Sequence, residues 1–402
     1  MSSSRVVAGA VVVVGWLAGL GFAACTTFST PDAAPGAEAG TEGSTTNEAS
    51  AGGDGAPTPT CAVADTSCDP LGCGRPGHSC LGGACVAGQC QAAVMTSFMA
   101  ASASGPVLDT QRAVFAMVST ASKGRLEWCP KGGCAAGTAG VDLPTLPTSP
   151  RSLASDGTSA FVSTLGGQGA GVFRIGQDGT LRQVTPIDGT FQNADEVAID
   201  GKDVLFINSF QAGPIGIYRA PADGTGAATQ IAPVQPADRY AHLVATPGRI
   251  YVADYARIMT CGAPTCPALD VYADQSVTHV DITSLATDGT SLFWTSDRQE
   301  LLSCALAASC ALPAVLVGPT ALENAVPIGL SIQGPDLYIT TDAGKIFTCT
   351  ATACGPTFKP VATDEVVVGA AVADDQAVYW LGRARIDAGG GPQAYRLMRL
   401  AK

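Results

Sequence analysis

Seven short runs, each centred on an aromatic residue among apolar and β-branched neighbours, recur at a nearly constant interval. No other feature constrains this chain as strongly. The centres are Phe115, Phe161, Phe206, Tyr251, Phe293, Tyr338 and Tyr379, and successive centres lie 46, 45, 45, 42, 45 and 41 residues apart. Six of the runs follow a turn signal: Asp156-Gly157, Asp200-Gly201, Pro247-Gly248, Asp288-Gly289, Gly334-Pro335 or Asp374-Asp375. Asp-Gly between two β-type runs predicts a hairpin, because a tight type I′ turn needs positive φ at both central residues. A third run comes next in each copy, for example GVFRI (Gly171 to Ile175), RIMTC (Arg257 to Cys261) and KIFTC (Lys345 to Cys349). A weaker fourth follows, such as AVLVG (Ala314 to Gly318).

A period of about 40–45 residues with four short strands per unit is what a β-propeller blade gives, each sheet covering the apolar face of its neighbour. Helical repeats of similar length are excluded by the β-branched and aromatic alternation and by the Gly-rich turns. The expected fold is all-β: a seven-bladed β-propeller of four-stranded blades. Six or eight blades stay open as alternatives, since the inner strand of the first copy (Pro106 to Asp109) is poorly marked. The seventh copy reaches Lys402 just after its third strand, and VMTSFMA (Val94 to Ala100) stands alone before the first copy. That segment is expected to supply the missing outer strand, closing the ring so that no sheet edge stays open. After residue 25 no long segment carries a 3.6-residue apolar period, so helix should be scarce.

The propeller is assigned to residues 91–402, and three segments precede it. Residues 1–24 read as a signal peptide: Arg5 leads into an apolar run from Val6 to Leu20 that is too short for a comfortable membrane span. The sequence Gly21-Phe22-Ala23-Ala24-Cys25 resembles the cleavage box of bacterial lipoproteins, with Phe22 where that family usually has Leu. The resemblance implies that Cys25 is lipidated and becomes the first residue. Thr26 is not an inner-membrane retention Asp, so the expected address is the cell envelope as an outer-membrane lipoprotein, with plain secretion the alternative. Residues 25–60 are rich in Ala, Gly, Ser, Thr and Pro, a composition that cannot bury enough surface to offset its ordering entropy. They are expected to be a flexible tether.

Residues 61–90 hold Cys61, Cys68, Cys73, Cys80, Cys85 and Cys90 among Gly, Ala and Pro. A unit with so little core needs covalent staples, and three disulfides are expected, with fifteen pairings open. His78, near Cys80, would allow a metal, but an oxidising compartment favours disulfides, and no metal is assigned. Eight further cysteines form four pairs at turns between third and fourth strands: Cys129/Cys134, Cys261/Cys266, Cys304/Cys310 and Cys349/Cys354. The second and third copies carry Gln177-Asp178-Gly179 and Ala222-Asp223-Gly224 there instead. A turn-forming Asp-Gly in place of a cysteine pair implies that each pair clamps its own hairpin as a structural disulfide, since no redox-type C-x-x-C pair is present.

LFWTSD (Leu292 to Asp297) resembles a YWTD repeat, and VYWLG (Val378 to Gly382) is a partial one. The chain as a whole is similar to propellers of the NHL, YWTD and streptogramin-lyase type. It also resembles secreted or lipid-anchored proteins of myxobacteria that pair a cysteine hairpin with such a blade. The resemblance implies the fold. Streptogramin lyases use a His and acidic residues with Mg²⁺ near the channel mouth, and no motif here matches theirs position by position.

Topology places a candidate site. Segments leading into first strands and loops between second and third strands share one face, and the cysteine hairpins lie on the other. The first face collects Arg151, Asp195, Glu196, Arg239, Tyr240, His242, His279 and Asp281, with Asp254, Tyr255, Asp297, Arg298 and Asp342 from second-strand ends. Arg151, Asp195, Glu196, His242, His279, Asp254, Asp297 and Arg298 are the candidate ligand contacts. They are expected to be exposed, and Arg151, Asp195, Glu196 and His242 are expected to crowd one arc of mixed charge.

Only three histidines are present, and neither Gly-x-Ser-x-Gly nor His-Glu-x-x-His occurs, so no catalytic residue is assigned. The net charge of −12 argues against a nucleic-acid partner. The expected function is a binding or scaffold module for a protein, peptide or glycan, a monomer without cofactor that meets the membrane only through its lipid. The alternative is a lyase or hydrolase using Glu196, His242 or His279 with a divalent cation.

Overall fold

The structure is a computed structural model that describes Cys73 and residues 79–86, 89–134, 137–144, 149–166, 170–185, 191, 193–209, 215–233, 241–276, 280–306, 309–384 and 392–402. All of them belong to one unit, Pro59–Lys402. Residues 1–60 with Cys25, and also Cys61, Cys68, His78, Arg239, Tyr240 and His279, lie outside the described residues.

A two-stranded ribbon, β1 (Cys85–Val86) and β2 (Gln89–Cys90), opens the described chain, followed by β3 (Ala93–Ala100). Disulfides Cys73–Cys85 and Cys80–Cys90 tie this small ribbon together. Seven four-stranded antiparallel sheets follow, and they are the blades. Blade 1 is β4 (Ser102–Leu108), β5 (Arg112–Val118), β6 (Gly124–Pro130) and β7 (Ala139–Asp142). Blade 2 is β8 (Ser149–Ser155), β9 (Ala160–Leu165), β10 (Val172–Ile175) and β11 (Leu181–Gln183). Blade 3 is β12 (Ala194–Asp200), β13 (Asp203–Asn208), β14 (Gly216–Pro221) and β15 (Thr229–Pro233). Blade 4 is β16 (His242–Thr246), β17 (Arg249–Ala253), β18 (Arg257–Gly262) and β19 (Asp270–Asp274). Blade 5 is β20 (Ile282–Thr287), β21 (Ser291–Ser296), β22 (Glu300–Ala305) and β23 (Ala314–Val317). Blade 6 is β24 (Pro327–Gln333), β25 (Asp336–Thr341), β26 (Lys345–Thr350) and β27 (Lys359–Thr363).

Blade 7 closes the ring as the sequence predicts. Its strands β28 (Val366–Ala373), β29 (Ala377–Arg383) and β30 (Gln393–Ala401) are completed by β3, which pairs with β30 from Ala93↔Arg399 to Ala100↔Gln393. Inner strands of successive blades touch in an unbroken cycle, β28 returning to β4. Seven blades is therefore the count. The inner strand of blade 1 starts earlier than its sequence suggests, because Ser102–Ser104 pair with Val118–Ala116 ahead of Gly105-Pro106. Helix among the described residues is limited to short pieces at Ser276, Ala351–Ala353 and Cys354–Thr357.

The aromatic centres explain the period. Phe115, Phe161, Phe206, Tyr251, Phe293, Tyr338 and Tyr379 are all buried. Each seam between neighbouring blades carries its own apolar cluster, such as Leu205, Ile217, Ile250 and Val252 between blades 3 and 4. Leu301, Leu337, Ile339 and Phe347 do the same between blades 5 and 6. Burying an aromatic of this size removes on the order of 150–250 Å² from water, which makes these side chains the main adhesive of the ring.

Hairpins form at the predicted places, though not as type I′ turns. Gly289 has φ 84° and Thr290, the other central residue, does not share it; the flanking Asp288 carboxylate accepts the amides of Thr290 and Ser291, both at 2.7 Å. Asp156 does the same for Thr158 and Ser159 at 2.7 Å. In each, only the first central residue is left-handed, so one glycine suffices, and the aspartate before it holds the turn through its side chain.

The four cysteine pairs close their own hairpins: Cys129–Cys134, Cys261–Cys266, Cys304–Cys310 and Cys349–Cys354, with Cα separations from 4.8 to 6.0 Å. They also do something the sequence does not display. The amide of Cys266 donates to Ile231 O on β15 of the preceding blade at 3.1 Å, and that of Cys310 to Tyr272 O on β19 at 2.7 Å. The Asp-Gly hairpin of blade 2 seats on blade 1 through Arg112, whose Nη2 donates to Gly176 O at 3.0 Å. These hairpins fasten onto the blade before them, and those of Cys266 and Cys310 cover outer-strand backbone that would otherwise be an open edge.

Candidate functional site at the channel mouth

Inner strands would present alternate side chains to the channel if they were regular. They are not. Six of the seven carry more residues than the partner strand opposite: β4 between Ser104 and Val107, β8 between Pro150 and Leu153, β12 between Ala194 and Val197, β20 between Ile282 and Ser284, β24 between Pro327 and Gly329, and β28 between Val368 and Val372. Only β16 runs without a shift. Bulges re-aim side chains, and here they fall at the level where the strands enclose a cavity of about 500 Å³ on the ring axis.

All seven inner strands line that cavity. One arc of its wall is polar: Arg151 and Ser152 on β8, Glu196 on β12, His242 on β16 and Ser284 on β20. The opposite arc is small and apolar, with Gly105, Pro106, Ile328, Gly329, Val368, Gly369 and Ala370. Gly329 is required by close approach of neighbouring blades, since a Cβ there would lie 2.6 Å from the Ala370 backbone. Hydroxyls pin the seams. Ser163 Oγ accepts from the Ser152 amide at 3.1 Å and donates to Asp195 O at 3.2 Å, joining blades 2 and 3. Ser284 Oγ accepts from the Leu330 amide at 3.1 Å, joining blades 5 and 6.

The predicted residues Arg151, Glu196 and His242 thus share one cavity. Arg151 is exposed, whereas Glu196 and His242 are half-buried in the channel wall rather than exposed as expected, because the bulge in β12 and the start of β16 turn them inward. Burial dominates their electrostatics. The Glu196 carboxyl is pushed up to about 8, chiefly by loss of water and further by the neighbouring Asp195; a Ser152 hydrogen bond and the Arg151 charge offset part of this. The His242 imidazole is pushed down to about 4 by burial. At neutral pH both are mainly uncharged, so the arc is not the mixed-charge surface expected from the sequence. Its charge is that of Arg151, whose Nε stands 4.0 Å from Asp195 Oδ1, while Asp195 Oδ2 takes the Ser209 hydroxyl.

The remaining described candidates, Asp254, Asp297 and Arg298, are not among the residues lining this cavity. Asp254 is buried, accepts the amides of Ala256 and Arg257, and pairs with Arg257 Nη2 at 2.5 Å. Asp297 accepts the Asp281 amide at 3.0 Å and donates its own amide back at 2.9 Å. Asp342 repeats the clasp on Val326 one blade later, so these aspartates hold the lead-in segments in place. Arg298 is exposed beside Asp297.

Sequence reasoning missed Ser152, Ser284 and the glycine arc, because a one-residue shift in pairing leaves no mark on composition. Among the described residues, the only three side chains placed to share a metal ion are Cys73, Cys80 and Cys90, and all three are spent in disulfides.

No protein-family model matches the chain, and no curated protein matches it in sequence. Solved structures do. The chain is similar to the Pan2 WD40 domain of Neurospora crassa, with 10% identity and a TM-score of 0.54 over 77% of this chain and 95% of that one. It is similar to YCF48 bound to D1 peptide, with 12% identity and a TM-score of 0.53 over 78% and 95%. It is similar as well to the Cps50 (Swd1) β-propeller domain of Myceliophteria thermophila, with 10% identity and a TM-score of 0.52 over 77% and 99%. At these identities the likeness concerns architecture alone: WD40-type β-propellers share the fold of this chain.

Proposed function

We propose that this protein is a binding propeller that takes a peptide or protein segment at the mouth of its channel. One observation carries the reading: polar side chains from successive blades, Arg151, Glu196 and His242, line a single cavity opposite a glycine-rich, apolar arc. Such a mixture fixes orientation with a few polar groups and supplies affinity through apolar contact. YCF48, which shares the fold, is bound to a D1 peptide, and binding is a use to which such rings lend themselves. The reading includes display on the cell envelope as a monomer, through a lipid on Cys25 and the tether behind it.

The test is binding of a fluorescent random-peptide pool to the purified chain. Glu196→Ala together with His242→Ala should abolish binding, while Lys359→Ala on the cysteine-hairpin face should leave it unchanged. Equal binding by wild type and the double variant refutes the site. For the anchor, Cys25→Ala should release the protein from the membrane fraction; unchanged fractionation and unchanged mass refute lipidation.

A further inference from the structure

Resting on that reading, we infer that the group seated in the channel mouth is a carboxylate, held by Arg151 with Glu196, itself braced by Ser152, as a neighbouring donor. Among the described residues lining the cavity, the titratable side chains are Arg151, Glu196 and His242; the segments from β4, β20, β24 and β28 contribute none. Arg151 is the one cation among these described residues. Its partner Asp195 is 4.0 Å away, against 2.5 to 2.7 Å for the pairs of Arg257, Arg125, Arg219 and Arg112. Asp195 is meanwhile occupied by Ser209. Arg151 is therefore a weakly engaged guanidinium at the exposed rim of the pocket, where its planar fork can take a carboxylate as a bidentate partner.

A cationic ligand fits worse. It would require an ionised Glu196, which burial and Asp195 oppose, and it would sit against Arg151. A neutral carboxylic acid instead offers an O–H donor to an anion. The sign of the resulting pH dependence follows from linkage. Binding needs the proton on Glu196, so affinity is constant well below about 8 and falls as pH rises through it. His242, pushed down to about 4, stays neutral across that window.

Fluorescent random hexapeptide pools, measured by polarisation against the full chain, decide the matter. One pool lacks Asp and Glu and ends in a free carboxylate; a second is the same but amidated; a third is amidated with one acidic side chain. Binding of the first alone identifies a chain end, and equal binding of the third identifies an acidic side chain, both supporting the carboxylate. Binding should weaken about tenfold between about pH 6 and about pH 9. Arg151→Gln should lose about tenfold or more. Glu196→Gln keeps a donor, so it should bind at neutral pH and lose the pH dependence.

Equal binding of the amidated, acid-free pool overturns the carboxylate while leaving the site intact. Binding that strengthens with pH overturns it in favour of a cation. Failure of every pool overturns the binding reading itself.

Discussion

Replacing Glu196 by Gln should stabilise this protein, increasingly so as pH rises. In the unfolded chain the carboxyl has its ordinary 4.5; in the channel wall burial pushes it up to about 8. Between those values the folded state must keep a proton that the unfolded state has released, so folding stability declines by about 1.4 kcal/mol per pH unit. The deficit is absent below about pH 4.5, reaches about 3 kcal/mol at pH 7 and levels off at about 5 kcal/mol above pH 8. Gln retains the shape and removes the titration, so the difference in unfolding free energy between variant and wild type traces that curve directly. Urea denaturation of both proteins from pH 4.5 to pH 9, disulfides intact, would measure it, and background titrations cancel in the difference. A difference that stays flat between about pH 5 and pH 8 refutes the argument. The carboxyl would then be hydrated, and the bulge of β12 would not turn it into the channel wall.

Three further outcomes are expected. His242 contributes stability that is complete above its ordinary 6.5 and lost as pH falls through about 4, so His242→Gln should remove about 3 kcal/mol of acid sensitivity, and an imidazole titrating near 6.5 by NMR would contradict this. Changing Cys261 and Cys266 together to Ala should cost about 2 kcal/mol by the loop-closure argument and raise hydrogen exchange at the residue 266 amide; unchanged exchange would mean that the hairpin seats on blade 3 without its staple. Deleting Ala93–Ala100 should leave β30 as a bare edge and drive self-association detectable by light scattering, whereas a stable monomer would show that ring closure does not depend on β3.

The frame of the molecule was legible because it is written in residue type. An aromatic at the centre of each second strand must be buried to be worth keeping, and seven of them at one period leave little choice of fold. The cysteine pairs were legible because spacing alone fixes what they can reach. The lone segment Val94–Ala100 was legible because a six-and-three-quarter-blade ring has an unpaired edge to fill.

The site was only half legible. Topology brought Arg151, Glu196 and His242 to one face, but their exposure was misjudged, because a bulge shifts pairing without altering composition. The same limit hid Ser152 and Ser284. Asp254 and Asp297 looked like ligand contacts as loop carboxylates, yet they hold backbone amides. Loop aspartates serve both purposes, and only coordinates separate them. His279, which topology assigns to the same face as Glu196 and His242, lies outside the described residues.

The staples are unevenly placed around the ring, and this has a mechanical consequence. Blades 1, 4, 5 and 6 carry hairpins closed by a covalent bond, while blades 2 and 3 rely on Asp-Gly turns. Those two blades bear Arg151, Ser152, Asp195 and Glu196. Each staple stiffens only the hairpin it closes: within the polar arc Arg151, Ser152 and Glu196 stand on blades whose outer hairpins are held without a covalent bond, whereas His242 and Ser284 stand on blades 4 and 5, whose hairpins are covalently closed.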